Sequence, residues 1–308
     1  MADAAITYRR AEPADANRAF QVFRAALNDY LARAGQELLP DENDQDPGFL
    51  HTLRYDGERC WVAEREGDMV AWGSAIVRDD WWFLSALFVL PEAQGVGVGA
   101  ELLKRARAGA PSGGVSATVT DTLQPVSNTL YARRGMLPRE ALLGFAGPPR
   151  PGTAPDGGAP QLRLGMLEPE PLTSAALPEL QALDLAVLGF ERTVDHRFYL
   201  GEGGRRGWLF RRAGRAVAYA LFRPTTGWIG PLASLRAADV APVLRFVLAE
   251  LAALGLEKVE AGVPAPCVGA QRVLWDAGLL FDGTPGLLLA SRPFGRLDRY
   301  LPASYGMF

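Results

Sequence analysis

The chain has 308 residues, 48% of them hydrophobic and 22% charged, with a formal net charge of -3. That length suits two domains of ordinary size with a filled core in each, and the acidic balance excludes the basic footprint of a general nucleic-acid binder. Two cysteines far apart and two histidines exclude a disulfide framework, a clustered zinc site and a histidine-based triad, and no apolar run is long enough to span a membrane.

The opening MADAAITYRRAEPADA has no basic segment followed by an apolar run, so no secretory signal is read and a cytoplasmic protein is expected. ITYRRAEP predicts a strand up to Pro13, which then sits in the first turn of a helix. Phe20, Phe23, Leu27 and Leu31 follow helical spacing and predict its buried face. An acidic loop lies between Pro40 and Pro47, and Phe49 to Tyr55 reads as a short second helix. CWVAERE and DMVAWGSAIVRDD predict a hairpin turning at Gly67-Asp68. WWFLSALFVL is a central strand by its apolar, β-forming composition. A glycine-rich turn leads into the helix GAELLKRARAG. VSATVTD is a strand, SNTLYARRG a short helix stopped by Gly135, and a strand follows from Ala141 to Phe145.

AGPPRPGTAPDGGAP, ending at Pro160, can form neither helix nor central strand and reads as a linker. Beyond it, Leu172 to Phe190 is helical and interrupted by Pro178. GWLFRRAGRAVAYALF predicts a hairpin turning at Ala213-Gly214, and GWIGPLAS a strand. Asp239 to Gly255 is a helix with Val240, Val243, Leu244, Val247, Leu251 and Leu254 on one face. EKVEAGVPA, a helix from Gly269 to Ala277, and GLLLAS complete the order. Each half therefore reads strand, helices, three strands, helix, strand, short helix, strand, which is an internal duplication without repetition of letters.

The segment with chemical content is LFVLPEAQGVGVGAELL, Leu87 to Leu103. Gln94, Gly97 and Gly99 form a Q-x-x-G-x-G pattern, with Gly95 added, between an apolar strand and a helix. Glycines allow a sharp turn and close approach of a ligand to the backbone. The first helical turn offers unpaired N–H groups at the positive end of its dipole. Together they make a cradle for a pyrophosphate. A dinucleotide-binding turn would need G-x-G-x-x-G after the first strand. A P-loop would need Lys-Ser or Lys-Thr where Ala100-Glu101 stand. A merely structural glycine-rich turn stays open.

This segment resembles the acetyl-CoA signature of the GNAT superfamily of N-acetyltransferases. The resemblance covers Ile6 to about Phe145 by motif and element order, and the second half by element order alone. It implies an α/β fold of two tandem GNAT-like domains, each a mixed, partly splayed sheet flanked by helices. The expected division is residues 1–146, a linker 147–160, and residues 161–308. It implies acetyl-CoA as cosubstrate and no metal. Main-chain groups of Leu87, Phe88 and Val89 would pair with the pantetheine arm. The N–H groups of Gln94, Gly95, Val96, Gly97, Val98, Gly99 and Ala100 would hold the pyrophosphate. In QPVSNTLYARRGM, Tyr131 and Gly135 match the family's helix, while Gln124, Ser127 and Met136 replace its Asn, Ala and Phe. By resemblance Ser127 faces the cofactor and Tyr131 protonates the departing thiolate, for which a phenol with a pKa near 10 is suited. The family's usual carboxylate base falls on Phe83 and Leu84, leaving Asp79, Asp80 and Glu64 as candidates.

On the acceptor side, Asp41, Glu42, Asp44 and Asp46 form a loop that would steer a cationic amine or simply be solvated. Trp61, Trp72, Trp81 and Trp82 are core, interface or an acceptor wall. In the second half, the turn Gly230 to Val240 lacks the glycine spacing, Leu235 and Arg236 would crowd a cradle, and Trp275 takes the place of the tyrosine. That half reads as a degenerate copy that shapes the acceptor site. The final RPFGRLDRYLPASYGMF closes over the site, forms a homodimer contact or is a loose tail. The expected activity is direct attack of a primary amine, on a small molecule or a protein N-terminus, on the thioester of acetyl-CoA. Main-chain N–H groups would stabilise the oxyanion without a nucleophilic cysteine. No nucleic acid or membrane partner is expected. The alternatives are a non-catalytic acyl-CoA-binding sensor and an aminoacyl-tRNA-dependent ligase.

Overall fold

Alternating apolar strands and amphipathic helices assemble here as a mixed α/β fold. The computed structural model describes residues 5–39, 47–149 and 166–308, and packing divides the chain between Thr118 and Val119 into two units. The acidic loop from Asp41 to Asp46 and most of the expected linker lie outside the described residues.

The first unit contains β1 (Ile6–Arg10), α1 (Ala16–Arg33), α2 (Pro47–Asp56), β2 (Trp61–Arg65), β3 (Asp68–Arg78), β4 (Trp81–Val89), α3 (Val98–Ala106) and the start of β5 (Val115–Asp121). The strands lie side by side in chain order. The β1 to β4 pairs are antiparallel, and β4 pairs with β5 in parallel. Adjacent strand residues point to opposite faces. Trp72, opposite Phe88, therefore meets Phe49 of α2, with ring centroids 5.1 Å apart, and Phe88 meets Phe23 of α1 at 4.8 Å. The next pair, Gly73 and Leu87, faces Leu102 of α3 on the other side. Pro13 begins a 3-10 turn that runs into α1. The buried stripe of α1 is Ala16, Ala19, Val22 and Tyr30, not the expected Phe20, Phe23, Leu27 and Leu31, which are only partly buried. Small residues let the helix axis approach the sheet, and the larger ones fill the flanks. The first hairpin turns at Glu66-Gly67, both with positive φ, while Asp68 already pairs with Arg65.

The second unit begins in the last residues of β5. It continues through α4 (Pro125–Ala132), β6 (Leu137–Gly147), β7 (Glu168–Pro171), α5 (Leu177–Val187), α6 (Thr193–Leu200), β8 (Arg206–Arg212), β9 (Arg215–Phe222), β10 (Trp228–Ser234), α7 (Ala237–Ala253), β11 (Val259–Pro264), α8 (Val268–Asp276), β12 (Leu280–Phe281), β13 (Gly286–Ala290) and β14 (Tyr300–Leu301). Its strand order is β13-β6-β11-β10-β9-β8-β7, with β12 also on β6 and β14 on β10. The apolar face predicted for α7 is in the core at Val240, Val243, Leu244, Val247 and Leu251, but Leu254 in the residue after the helix is 46% exposed. Phe246 of the same helix stacks edge-on against Trp208 and Phe210 of β8. Pro178 lies in the first turn of α5 and starts that helix rather than breaking it. The helix α6 was not delimited by sequence, because its buried positions, Asp195, His196, Phe198 and Tyr199, are half polar and show no clean apolar period.

The element order from β1 to β6 is that from β7 to β13, with a strand, two helices, a three-strand meander, a helix, a strand, a short helix and a closing strand. The closing strand of the first series, β6, is not held beside its own predecessor. It pairs antiparallel with β11 from Val259↔Gly147 to Pro264↔Leu142 and with β13 on its other side. Compactness and repetition therefore divide the chain at different places.

Candidate functional site

Between β4 and α3 lie residues 90–97, a turn with a short 3-10 segment at Pro91–Ala93. Gly95 and Gly97 have φ of 81° and 94°, and Gly97 caps α3 in the left-handed conformation that a side chain resists. A Cβ at either would meet nothing within 4 Å, so the space above them is open. Among the described residues, the N–H groups of Gly95, Val96, Gly97, Val98, Gly99 and Ala100 find no acceptor. Gln94 behaves differently. Its N–H goes to Pro91 O at 3.2 Å, and its side-chain amide donates to Val89 O at 2.9 Å, which braces the turn from inside. Gln94, Gly95, Val96 and Gly97 are exposed, whereas Val98 anchors the helix in the core and Gly99 lies against Val89. The result is a solvent-facing turn of main-chain donors at a helix N-terminus, suited to an oxyanion.

The strand leading into this turn has one side open. β4 pairs with β5 from Trp81↔Val115 to Leu84↔Thr118, and the Thr118 hydroxyl donates to Leu84 O at 3.0 Å. Beyond Leu84 no strand pairs with β4 on that side among the described residues. On the other side it continues to pair with β3 through Leu87↔Gly73, Phe88↔Trp72 and Val89↔Ala71. The β3 ladder slips at Ser85, which becomes an extra residue exactly one step past the last β5 pair. Leu87, Phe88 and Val89 thus lie on a half-paired stretch, partly buried, where alternate main-chain groups can pair with an extended ligand arm.

The carboxylates considered as bases are elsewhere. Asp79 and Asp80 form the β3–β4 turn, and β4 is nine residues long. At about 3.3 Å per residue, some 30 Å of strand separates them from the glycine-rich turn. Glu64 is tied to Arg9 at 2.7 Å. Phe83 and Leu84 are buried in the sheet. Trp72, Trp81 and Trp82 are core, the last donating to Ala106 O, and Trp61 is covered by Arg10 at 4.0 Å. None of the four forms an open platform.

Tyr131 belongs to the second unit. It is 5% exposed, in the last turn of α4, with its hydroxyl hydrogen-bonded to that of Ser127 one turn earlier. Burial drives its pKa well above the usual phenol value, against the smaller lowering effect of Ser127. The phenol therefore stays protonated, as an acid must. Cys60 and Cys267 are both buried, and burial pushes their thiols up to about 12 and about 11, so neither is a thiolate nucleophile at neutral pH.

The counterpart in the second unit is closed. Only residues 235–236 separate β10 from α7, so the expected turn Gly230 to Val240 is mostly strand and helix. β10 pairs with β11 at Trp228↔Glu260 and Ile229↔Ala261, and then Leu232 and Ala233 pair with Leu301 and Tyr300 of β14. Pro302 presses so closely on β10 that a Cβ at Gly230 would lie 2.1 Å from its carbonyl oxygen. The final segment is neither loose nor a lid: Tyr300, Leu301, Ala303 and Phe308 are all buried. Sequence gave no signal for this, because a two-residue strand has no periodicity. The tyrosine's counterpart also needs correcting. Met136 N–H bonds to Tyr131 O before Gly135 ends α4, and Leu279 N–H bonds to Leu274 O around Gly278. Leu274, fully buried, is therefore the equivalent residue, and Trp275 is its exposed neighbour.

Comparisons with known proteins agree with this fold. The profile of the acetyltransferase (GNAT) family matches residues 23–136. No curated protein matched the sequence. A Pyrococcus horikoshii protein assigned as an acetyltransferase superposes with a TM-score of 0.72 at 14% identity, covering 98% of this chain and 96% of that one. A GNAT acetyltransferase from Sphaerobacter thermophilus gives 0.62 at 17% identity, over 96% and 98%. A tandem GNAT protein from the clavulanic acid biosynthesis pathway gives 0.56 at 14% identity, over 94% and 99%. At these identities the superpositions speak for the fold.

Proposed function

We propose that the chain is a tandem member of the GNAT superfamily, and that it is an N-acetyltransferase that moves an acetyl group from acetyl-CoA to a primary amine. The observation that carries the reading is the half-paired edge of β4 running into a turn whose N–H groups from Gly95 to Ala100 lack acceptors among the described residues. The pantetheine arm would pair along Leu87 to Val89 as an added strand, and the pyrophosphate would lie on the donors from Gly95 to Ala100. The amine attacks the thioester carbon. The carbonyl oxygen takes the negative charge and is stabilised by main-chain N–H groups at the strand opening. Collapse of the intermediate breaks the carbon–sulfur bond, Tyr131 gives its proton to the sulfur, and the amine's proton leaves to solvent. We read residues 1–146 as the catalytic repeat, 147–160 as linker and 161–308 as the copy without a cofactor site. The protein acts in the cytoplasm on a small-molecule amine or a protein N-terminus, without metal, nucleic acid or membrane.

The absence of a carboxylate on β4 favours a second reading, an acyl-CoA-binding sensor without catalysis. Calorimetric titration of acetyl-CoA into the wild-type chain and a Gly97→Glu variant tests the first. One site per chain, lost in the folded variant, supports the cradle. No binding to folded wild-type protein sinks it. Release of free thiol in an amine screen then separates transferase from sensor.

A further inference from the structure

Three arginines in the described residues are less than 10% exposed: Arg78, Arg192 and Arg205. A guanidinium stays charged in proteins, and a buried charge without a counter-ion is costly. Arg78 answers this with Asp56 at 2.9 Å, and Arg192 with Asp184 at 2.7 Å. Arg205 has no carboxylate among the described residues. It donates to the neutral carbonyls of Gly230 and Ala303 and stands 5.3 Å from the ring of Tyr199, while its Nε is buried without an acceptor. Burial, with Arg223 and Arg192 adding repulsion, pushes its pKa down to about 10, so it remains a cation at neutral pH.

Arg205 lines a cavity of about 660 Å³ at the β8 end of the second unit. That is the size of a small-molecule site. Leu172, Trp208 and Phe222 give it an apolar wall. Arg206 and Arg197 also line it, both exposed and both without an ion pair among the described residues. Arg197 is in the last turn of α6, where the helix dipole favours a cation on its own account, but Arg205 and Arg206 have no such reason to be there. Glu250 is the carboxylate in the wall, so the three arginines leave it net positive. Arg223, next to Phe222, has a second buried Nε without an acceptor.

We propose that this cavity binds a small organic oxyanion, a carboxylate or phosphate monoester carried on an apolar body, with the head group among Arg205, Arg206 and Arg197 and the body against Trp208 and Phe222. The site lies wholly within the second unit and is separate from the acyl-CoA reading of the first. It gives the repeat that lost its cofactor groove a ligand of its own.

The test is calorimetric titration of the full chain with octanoate, octyl phosphate and, as control, octylamine. The expected result is one site for either anion, none for octylamine, and binding weakened about tenfold or more in an Arg197→Ala/Arg206→Ala double variant, as loss of charge-assisted hydrogen bonds requires. These side chains are exposed and have no ion pair among the described residues, so the variant should keep the wild-type melting temperature. The tighter of the two anions assigns the head group. The Gly97→Glu chain should bind the anion as wild type does, so failure of the acyl-CoA reading would not mimic failure here. Equal binding of octylamine, unchanged binding in the double variant, or no binding of either anion would overturn the proposal.

Discussion

Among the described residues, the edge of β4 beyond Leu84 in the first unit has no strand paired with it, while the matching stretch of β10 in the second is paired with β14 through Leu232 and Ala233. The two edges arise from the same element order and meet the same physical demand, since strand N–H and C=O groups need partners. One meets it with solvent or a ligand, the other with its own chain. An open edge is a site that must stay hydrated or be filled on binding. A closed one has become core, and its residues are then read by stability and not by affinity.

The sharpest way to break this comparison is Leu301→Asp. Leu301 is fully buried on β10, and placing a charge there should cost about 4 kcal/mol of stability. Denaturant unfolding measures it, and a loss under ~1 kcal/mol would mean that β14 is a removable plug rather than core. Tyr131→Phe should lower kcat about 100-fold with acetyl-CoA affinity unchanged, because it removes a proton donor and little volume. In the wild type, burial raises the phenol above its usual value, so kcat should not fall near pH 10 through loss of this proton. A variant with wild-type kcat would take the proton transfer away from Tyr131. Val96→Asp places a carboxylate on an exposed residue of the cradle, which should weaken acetyl-CoA about tenfold while leaving stability within about 0.5 kcal/mol. Unchanged affinity would remove the pyrophosphate from this turn.

A shallower effect should mark the second unit alone. Burial works to raise the pKa of Asp184, but Arg192 and His196 outweigh it and hold the carboxylate down at about 2. A depressed folded pKa contributes stability that is present above the unfolded value of about 4 and is lost as pH falls through about 2. Acid unfolding followed by circular dichroism should show a transition in that window which Asp184→Asn removes. An unaltered transition would separate this carboxylate from the stability of the unit.

Much of the first unit is readable from local sequence alone. The glycine-rich turn was visible because its glycines are spaced by a backbone requirement, with positive φ at Gly95 and Gly97 and open space where side chains would stand. The hairpin at Ala213-Gly214 and the helix stop at Gly135 were visible for the same local reason. What was misread depended on distance in sequence. The face of α1 turned on how closely small residues let it approach the sheet, whereas the register of Leu274 is local, four residues before Gly278 as Tyr131 is before Gly135.

By itself, then, the sequence determined the mixed α/β class, the doubled element order and the glycine-rich turn ahead of α3, since each follows from periodicity or from φ at individual residues. Tertiary structure alone decided where β4 parts from β5, that β6 lies beside β11, that β14 fills the edge of β10, and that Arg205 is buried without a carboxylate among the described residues. These are pairings between residues far apart in the chain, set by which partners packing brings together, and no local pattern encodes them.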